Sequence, residues 1–345
     1  LNPLSGETGG AKAPAGSLDL GVVIVSFNTR DLLAACLKSL LAEITDLNLT
    51  SEVWVVDNAS TDASVAMMEA DFPTVQVVDS GENLGFTVAN NRVLERWYRE
   101  GAEGPRWVLA LNPDAELQPG ALGSLIRALE AAPRAAVAGP SLHYADGRFQ
   151  HAAFRFPGLI QTALDLFPIP RWTDRPINGR YRPSAYAAGR PFAVDFVLGA
   201  CLLVRGEAMA EVGILDPGYF MYCEEIDWCQ RFRAAGWSVL LVPEARVLHH
   251  GGASSQQFRA KSLVWLWRSR RRYFSRHLPA WRRRSLDALI RLGLVARAVG
   301  DWWSLRRGRL EAGEFAERVQ AYRAIVARLE PEGDDLGPKP QQGIT

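Results

Sequence analysis

Leu20-Gly21-Val22-Val23-Ile24-Val25-Ser26-Phe27 is an apolar, β-branched run of strand length, and residues 31–43 behind it set Leu33, Leu37, Leu40 and Leu41 at helical spacing. The pair recurs down the chain: Val53-Trp54-Val55-Val56 precedes a helix from Asp62, and Val75-Gln76-Val77-Val78 precedes a helix from about Gly85. Trp107-Val108-Leu109-Ala110-Leu111 then precedes a helix from Gly120. Strands apolar on both faces and separated by helices predict an α/β fold with a mostly parallel sheet and right-handed crossovers. In such sheets functional groups collect in loops outside the carboxyl ends of the strands, where they do not interrupt the ladder. Ser26 to Asn28, Asp57 to Ser60, Glu82 to Phe86 and Asn112 to Asp114 all fall at those ends.

The pattern changes after Pro140. Residues 141–156 read as a polar hairpin, and 157–192, rich in Pro, Arg and aromatics, read as an irregular binding loop or lid. A strand over 192–204, a short helix over 207–212 and a helical region over 258–330 complete the expectation, with residues 1–17 as a disordered leader.

At 345 residues, 48% hydrophobic and 22% charged, the chain can bury a substantial core as one large domain or two modest ones. Its 39 basic and 38 acidic residues nearly cancel, but residues 255–310 are Arg-rich, with only Asp287 and Asp301 opposing. Trp265-Leu266-Trp267 and Trp302-Trp303 lie within that stretch, and aromatics among charges of one sign suit an anionic membrane interface. A solvated helical appendage or a homo-oligomer contact is the competing reading. No nucleic-acid recognition motif accompanies the charge. Four cysteines without a CxxC pair favour a reducing, cytoplasmic compartment, and the residue pattern leads us to expect neither a secretory signal nor a membrane-spanning run. No GxGxxG follows the first strand and no GK[ST] occurs, which disfavours NAD-dependent oxidoreductases and P-loop enzymes.

Five constellations carry chemistry. Asp57-Asn58-Ala59-Ser60-Thr61-Asp62 offers a carboxylate for a base or ribose, or a cap for the next helix. Asn83-Leu84-Gly85-Phe86, with Asn90 a turn later, aims amides and a helix N-terminus at one spot, as a ribose and diphosphate cradle would. Asn112-Pro113-Asp114 supplies a carboxylate and a neutral oxygen to a divalent ion, or is a proline turn. Glu224, Glu225 and Asp227 crowd the first turn of a helix, which can raise a pKa toward that of a base working near neutrality, merely complement the helix dipole, or place Glu224 with Asp227, or Asp227 with Arg231, as structural pairs at i,i+3 and i,i+4. His249-His250-Gly251-Gly252 follows an apolar strand, where imidazole can bind Mn or a phosphate oxygen.

Taken together, these residues resemble the inverting glycosyltransferases of family two, with the GT-A nucleotide-sugar fold, most closely the rhamnosyltransferase-like branch. The matching pieces are 23–28, 55–60, 83–86, 111–114, Phe196-Val197-Leu198-Gly199-Ala200, 222–227 and 249–252, in order over residues 19 to about 255. The resemblance implies a GT-A domain over 18–257, and beyond it the sequence reads as a basic helical region over 258–335 and a disordered tail over 336–345. It implies that Asp57 touches the nucleobase, with Ser26, Asn28, Asn58, Asn83, Gly85, Phe86, Asn90 and Asn112 around the donor. Asp114 stands where the last acid of the metal motif stands and His249 assists, for Mg or Mn. Glu225 falls at the catalytic base, with Glu224 beside it and Asp227 as a rival, and Gly199, Ala200 and Trp228 face the acceptor. Two departures stand out: Asn112 replaces a first aspartate, and Glu225 replaces the Asp of many relatives. The implied reaction moves a hexose or deoxyhexose from a dTDP- or UDP-sugar to a saccharide, free or linked to polyprenyl diphosphate, at the inner face of the cytoplasmic membrane. A non-catalytic nucleotide-sugar binding protein and a sugar nucleotidyltransferase are the alternatives. The second would normally place a glycine-rich loop where this chain has Val25-Ser26-Phe27-Asn28-Thr29.

Overall fold

The computed structural model describes residues 18–98, 104–251 and 259–327. The expected leader, tail and domain boundary at 257/258 lie outside the described residues, as does Gly252.

The first half alternates as the apolar spacing demands: β1 (Leu20–Ser26), α1 (Arg30–Leu47), β2 (Ser51–Asp57), α2 (Ser64–Asp71), β3 (Gln76–Asp79), α3 (Gly85–Trp97), β4 (Trp107–Leu111). There follow β5 (Ala115–Leu117), α4 (Ala121–Ala131), β6 (Ala135–His143), β7 (Phe149–Gln150) and β8 (Ala153–Phe154). The stretch read as an irregular lid carries α5 (Leu159–Leu166), α6 (Pro170–Thr173), a 3₁₀ turn (Pro176–Asn178) and α7 (Pro183–Ala187). Beyond it come β9 (Phe192–Val194), β10 (Phe196–Val197), β11 (Cys201–Arg205), α8 (Gly206–Val212), α9 (Glu224–Ala234) and β12 (Ser238–His249). Three helices close the described chain: α10 (Arg259–His277), α11 (Ala280–Arg306) and α12 (Ala312–Ala327).

The main sheet runs β3-β2-β1-β4-β11-β6-β12-β5, with β7 on β6 and β9 on β12. Its first four strands are parallel, β11 enters antiparallel between β4 and β6, and β6 pairs β12 in parallel. All of β1 is buried, as expected of an inner strand covered by helices. The register sets Ser26 beside Asp57 and Asp57 beside Asp79, so the three loops leaving β1, β2 and β3 start at one level. Glu43 of α1, itself buried, accepts hydrogen bonds from the Gly120 and Leu122 amides at 2.6 and 2.9 Å, satisfying orphan donors at the start of α4.

The 192–204 run, expected as one strand, is cut into three pieces. Asp195 interrupts it: its carboxylate accepts from the Phe156 amide and pairs with Arg233, so β10 turns away to pair with β8. The C-terminal helices pack onto the α/β body. Gly293 of α11 admits Leu166 of α5 so closely that a β-carbon would lie 2.7 Å from that side chain. Arg272 of α10 forks onto Asp216 at 2.8 and 3.0 Å.

Candidate active site

The loops at the carboxyl ends of β1 to β3 are laced to one another. Asn28, at φ 49°, donates its amide to Ser60 Oγ at 2.9 Å and accepts from the Thr61 amide at 2.7 Å. Ser26 is fully buried with its hydroxyl against Thr29 Oγ1, so it shapes the loop rather than meeting a ligand. Asp57 accepts from the Ser60 amide through Oδ2, while its buried Oδ1 has no hydrogen-bond partner among the described residues. A buried carboxylate oxygen left unpaired costs free energy unless a ligand completes it. Asn58 donates to the Gly85 carbonyl at 3.2 Å and likewise keeps a buried, unpartnered Oδ1.

The start of α3 joins this rim to the opposite side of the cleft. Asn83 Oδ1 accepts from the Gly85 amide, and the Phe86 amide donates to the Phe220 carbonyl at 2.7 Å. Gly85 has φ 76°, and a β-carbon there would lie 2.5 Å from that same carbonyl oxygen. Glycine is required on both counts. Asn90 is buried and donates to Phe86 O within the helix, so it braces the turn; Asn91 donates to Leu215 O and keeps an unpartnered Oδ1.

Asp114 and His249 come together from distant segments because β12 pairs β5 with His249 opposite Ala115. Their Oδ1 and Nε2 atoms are 3.5 Å apart, and both residues are buried. Gln150 Oε1 lies 3.1 Å from His249 Nδ1, a contact of the kind that orients the other ring nitrogen of a metal-binding imidazole. Octahedral Mg or Mn ligands near 2.1 Å sit about 3 Å apart when adjacent, so one oxygen and one nitrogen at this spacing fit a divalent ion. No cluster of three or more such ligands occurs among the described residues. His250 pairs instead with Glu116 at 2.9 Å.

Glu224 and Glu225 open α9 behind Tyr222 and Cys223, both non-glycine residues in the left-handed region at φ 70° and 66°. Two such residues in succession cost about 1 kcal/mol or more each, strain of the sort that persists where a side chain must be aimed. Burial pushes the Glu225 carboxyl up to about 7, and burial together with Glu225's charge raises Glu224 well above the carboxylate range. Both keep an unpartnered Oε2.

Asp227, one turn on, is different. Burial would raise its carboxyl, but hydrogen bonds from His277 at 2.7 Å and Arg231 at 2.8 Å, with their charges, hold it below the usual range. Fully buried and satisfied, it fastens α10 to α9, so the expectation of a rival base is corrected. Trp228 is also corrected: it is buried in the core, donates to Gly213 O and does not line the cavity beside Glu225.

Glu225 lines a cavity of about 250 Å³ whose wall also includes Tyr222, Phe196 and Leu198. Asp114 is not in that wall, and the link between them is the turn after β10. Gly199 lies against Glu225, where a β-carbon would sit 3.6 Å from its Cβ and Cγ, and Ala200, itself buried, accepts from the Asn112 amide at 2.9 Å. The His250 amide donates to Asp114 O, closing the rim. Sequence reasoning missed Gln150 and the cavity's three arginines, Arg155, Arg180 and Arg270, since nothing marks them before the chain folds.

The glycosyl transferase family 2 model matches residues 21–196. The chain is 32% identical to an N-acetylglucosaminyl-diphospho-decaprenol L-rhamnosyltransferase of Mycobacterium tuberculosis, over 77% of this chain and 90% of that one. It is 37% identical to rhamnosyltransferase WbbL of Escherichia coli, over 24% of this chain and 31% of that one. Among solved structures, the mannosyltransferase PcManGT of Pyrobaculum calidifontis, bound to GDP-Man and Mn2+, superposes with a TM-score of 0.53 at 14% identity. That match covers 92% of this chain and 89% of that one, a likeness of fold that bears out the GT-A expectation. With a carboxyl tuned near neutrality beside a rim of ligand-ready groups, and with these matches, the chain belongs to glycosyl transferase family 2 and is a glycosyltransferase.

Proposed function

We propose that the enzyme transfers a deoxyhexose of the rhamnose type from a dTDP- or UDP-sugar to a saccharide carried on a polyprenyl diphosphate, with inversion at the anomeric carbon. The observation that carries the chemistry is Glu225: a half-buried carboxyl poised at about 7 on a cavity wall, across the 199–200 turn from Asp114 and His249. The relatives' printed activities support the sugar and acceptor classes.

In this reading Asp57 and Asn58 hold the nucleoside through their unpartnered oxygens, and the donor lies along the rim toward Asp114. The acceptor hydroxyl enters from the cavity side. Glu225 takes its proton as the oxygen bonds to the anomeric carbon, while the bond from that carbon to the diphosphate breaks and the nucleoside diphosphate leaves. Asp114 and His249 would hold a Mg or Mn ion, which when bound neutralises charge on the departing diphosphate. The strained turn at 222–223 keeps Glu225 aimed, and Gly199 leaves room beside it.

The outward face of α11 supports action at a membrane surface. Trp281, Leu292, Val295, Val299, Trp302 and Trp303 are exposed along it, while Leu286, Ile290 and Leu294 face the protein. Exposed Arg282 and Arg284 flank one end, and Arg306 and Arg307 the other. Among the described residues no helix is long and apolar enough to cross a membrane, and this helix suits lying in the plane of an anionic one.

The test is incubation of the purified protein with dTDP-rhamnose or UDP-sugars, Mn, and N-acetylglucosamine diphosphate on a short prenyl chain. A product heavier by one deoxyhexose, of inverted anomeric configuration by NMR, is expected. Transfer of no deoxyhexose to any prenyl-linked acceptor refutes the proposal.

A further inference from the structure

The wall of the cavity beside Glu225 carries three guanidinium groups brought from three distant segments. Arg155 follows β8, Arg180 bridges back to the same strand through the Phe154 to Arg180 pairing, and Arg270 comes from α10. Among the described residues two carboxylates, Asp165 and Glu225, line the cavity against these three guanidinium groups, so the wall itself carries one positive charge in excess. Arg270 lies 2.5 Å from Asp165 and Arg180 lies 3.3 Å from Asp174, yet the buried Arg270 Nη1 and Arg180 Nε have no hydrogen bond of acceptable geometry. Arg155 rests over the Tyr181 ring at 5.9 Å, with no carboxylate at ion-pair distance among the described residues. Two guanidinium groups held to carboxylates by ion pairs of poor hydrogen-bond geometry, beside a third with no carboxylate partner among the described residues, make a site for a compact polyanion, which arginine forks recognise in two-point fashion. The remaining wall, including Phe154, Phe196, Leu198 and Leu266, is apolar, with Phe154 and Phe196 stacked at 5.5 Å.

A nucleotide donor brings one diphosphate, which the preceding reading places toward Asp114 and His249, neither of which lines this cavity. On that reading the donor leaves this cavity's cations for another anion. We infer that Arg155, Arg180 and Arg270 bind the diphosphate of a prenyl-diphosphate-linked acceptor, with its sugar toward Glu225 and the first isoprene units against the apolar wall. This deepens the proposed function and rests on it for the acceptor class. It also gives the C-terminal helices a role in the site, since α10 supplies Arg270 and Leu266. Arg297 of α11 is bonded to the Asp165 carbonyl, so the helix with the apolar outer face is tied directly to the cavity wall.

The experiment is a donor-free titration, followed by tryptophan fluorescence, with two probes: N-acetylglucosamine joined to farnesol through a diphosphate, and the same sugar joined without phosphate. Wild-type protein is expected to prefer the diphosphate probe by about a hundredfold. Arg155→Ala and Arg270→Ala should each shrink that ratio by about tenfold or more, with Arg270→Lys recovering part of it, as expected for charge-assisted hydrogen bonds. UDP and dTDP titrations of the same variants distinguish the source of the diphosphate: nucleotide affinity should stay near wild type in protein of unchanged melting temperature. A wild-type ratio near one overturns the inference without any variant. Parallel loss of nucleotide affinity in folded variants overturns it by assigning the arginines to the donor. Intact diphosphate preference with no deoxyhexose transfer refutes the proposed donor class alone, and transfer to the phosphate-free probe at equal efficiency refutes the pocket alone.

Discussion

Replacing Glu225 by Gln keeps the side chain's shape and removes its titration, so it separates the chemistry of the base from its effect on stability. The folded carboxyl sits at about 7 against an ordinary 4.5, because burial disfavours its charge. The folded state therefore holds more protons than the unfolded chain between these values, and stability falls as pH rises through that window. A gap of about 2.5 pH units, at about 1.4 kcal/mol each, makes the ionised group destabilising by about 3 kcal/mol above pH 7. The Gln variant escapes this penalty. In urea unfolding it should exceed wild type by about 1 kcal/mol at pH 5.5 and by about 3 kcal/mol at pH 8. Its turnover should fall by about a hundred- to ten-thousand-fold while nucleotide-sugar affinity is kept. Wild-type kcat should rise with pH and level off above about 7, as the base loses its proton. A stability difference that is flat across this range, or wild type the more stable at pH 8, refutes burial as the origin of the raised carboxyl. Near-normal turnover of the variant refutes its role as base.

Asp57→Asn turns one acceptor oxygen into a donor while leaving an oxygen for the Ser60 amide, so UDP or dTDP affinity should fall by about tenfold to a hundredfold by calorimetry. Unchanged affinity would detach Asp57 from the nucleoside. Chelation should abolish transfer and Mn restore it, and Gln150→Ala, by freeing the His249 ring, should raise the half-saturating Mn concentration by about tenfold to a hundredfold. Transfer at full rate in chelator would remove the metal from the reaction. Trp302→Ser with Trp303→Ser should release the protein from anionic vesicles in sedimentation, and wild-type binding should weaken with salt. Equal binding to neutral vesicles would contradict the part assigned to the flanking arginines.

Local pattern alone identified what is encoded locally. The 20–27 run and the leucines behind it specify an inner parallel strand and its crossover helix, because burial on both faces leaves few alternatives to apolar β-branched residues. Asp57, Gly85 and Asp114 were legible as candidate site residues because they stand where strands end, and Glu225 as a candidate base because three acids crowd one helical turn. What remained undecided were matters settled between segments far apart in the chain. Glu225 and Asp227 share one helical turn, and although the i,i+4 spacing of Asp227 and Arg231 already allowed a structural pair, only the approach of His277 from α10 completes Asp227 as a satisfied anchor while Glu225 stays poised in a cavity. Trp228 reads as a residue of the acceptor side until α9 packs and buries it. The antiparallel entry of β11, the pairing of His249 with Asp114 and the convergence of Arg155, Arg180 and Arg270 depend on sheet order and helix docking. Those are set by the free energy of the whole packed core, which no stretch of sequence expresses by itself.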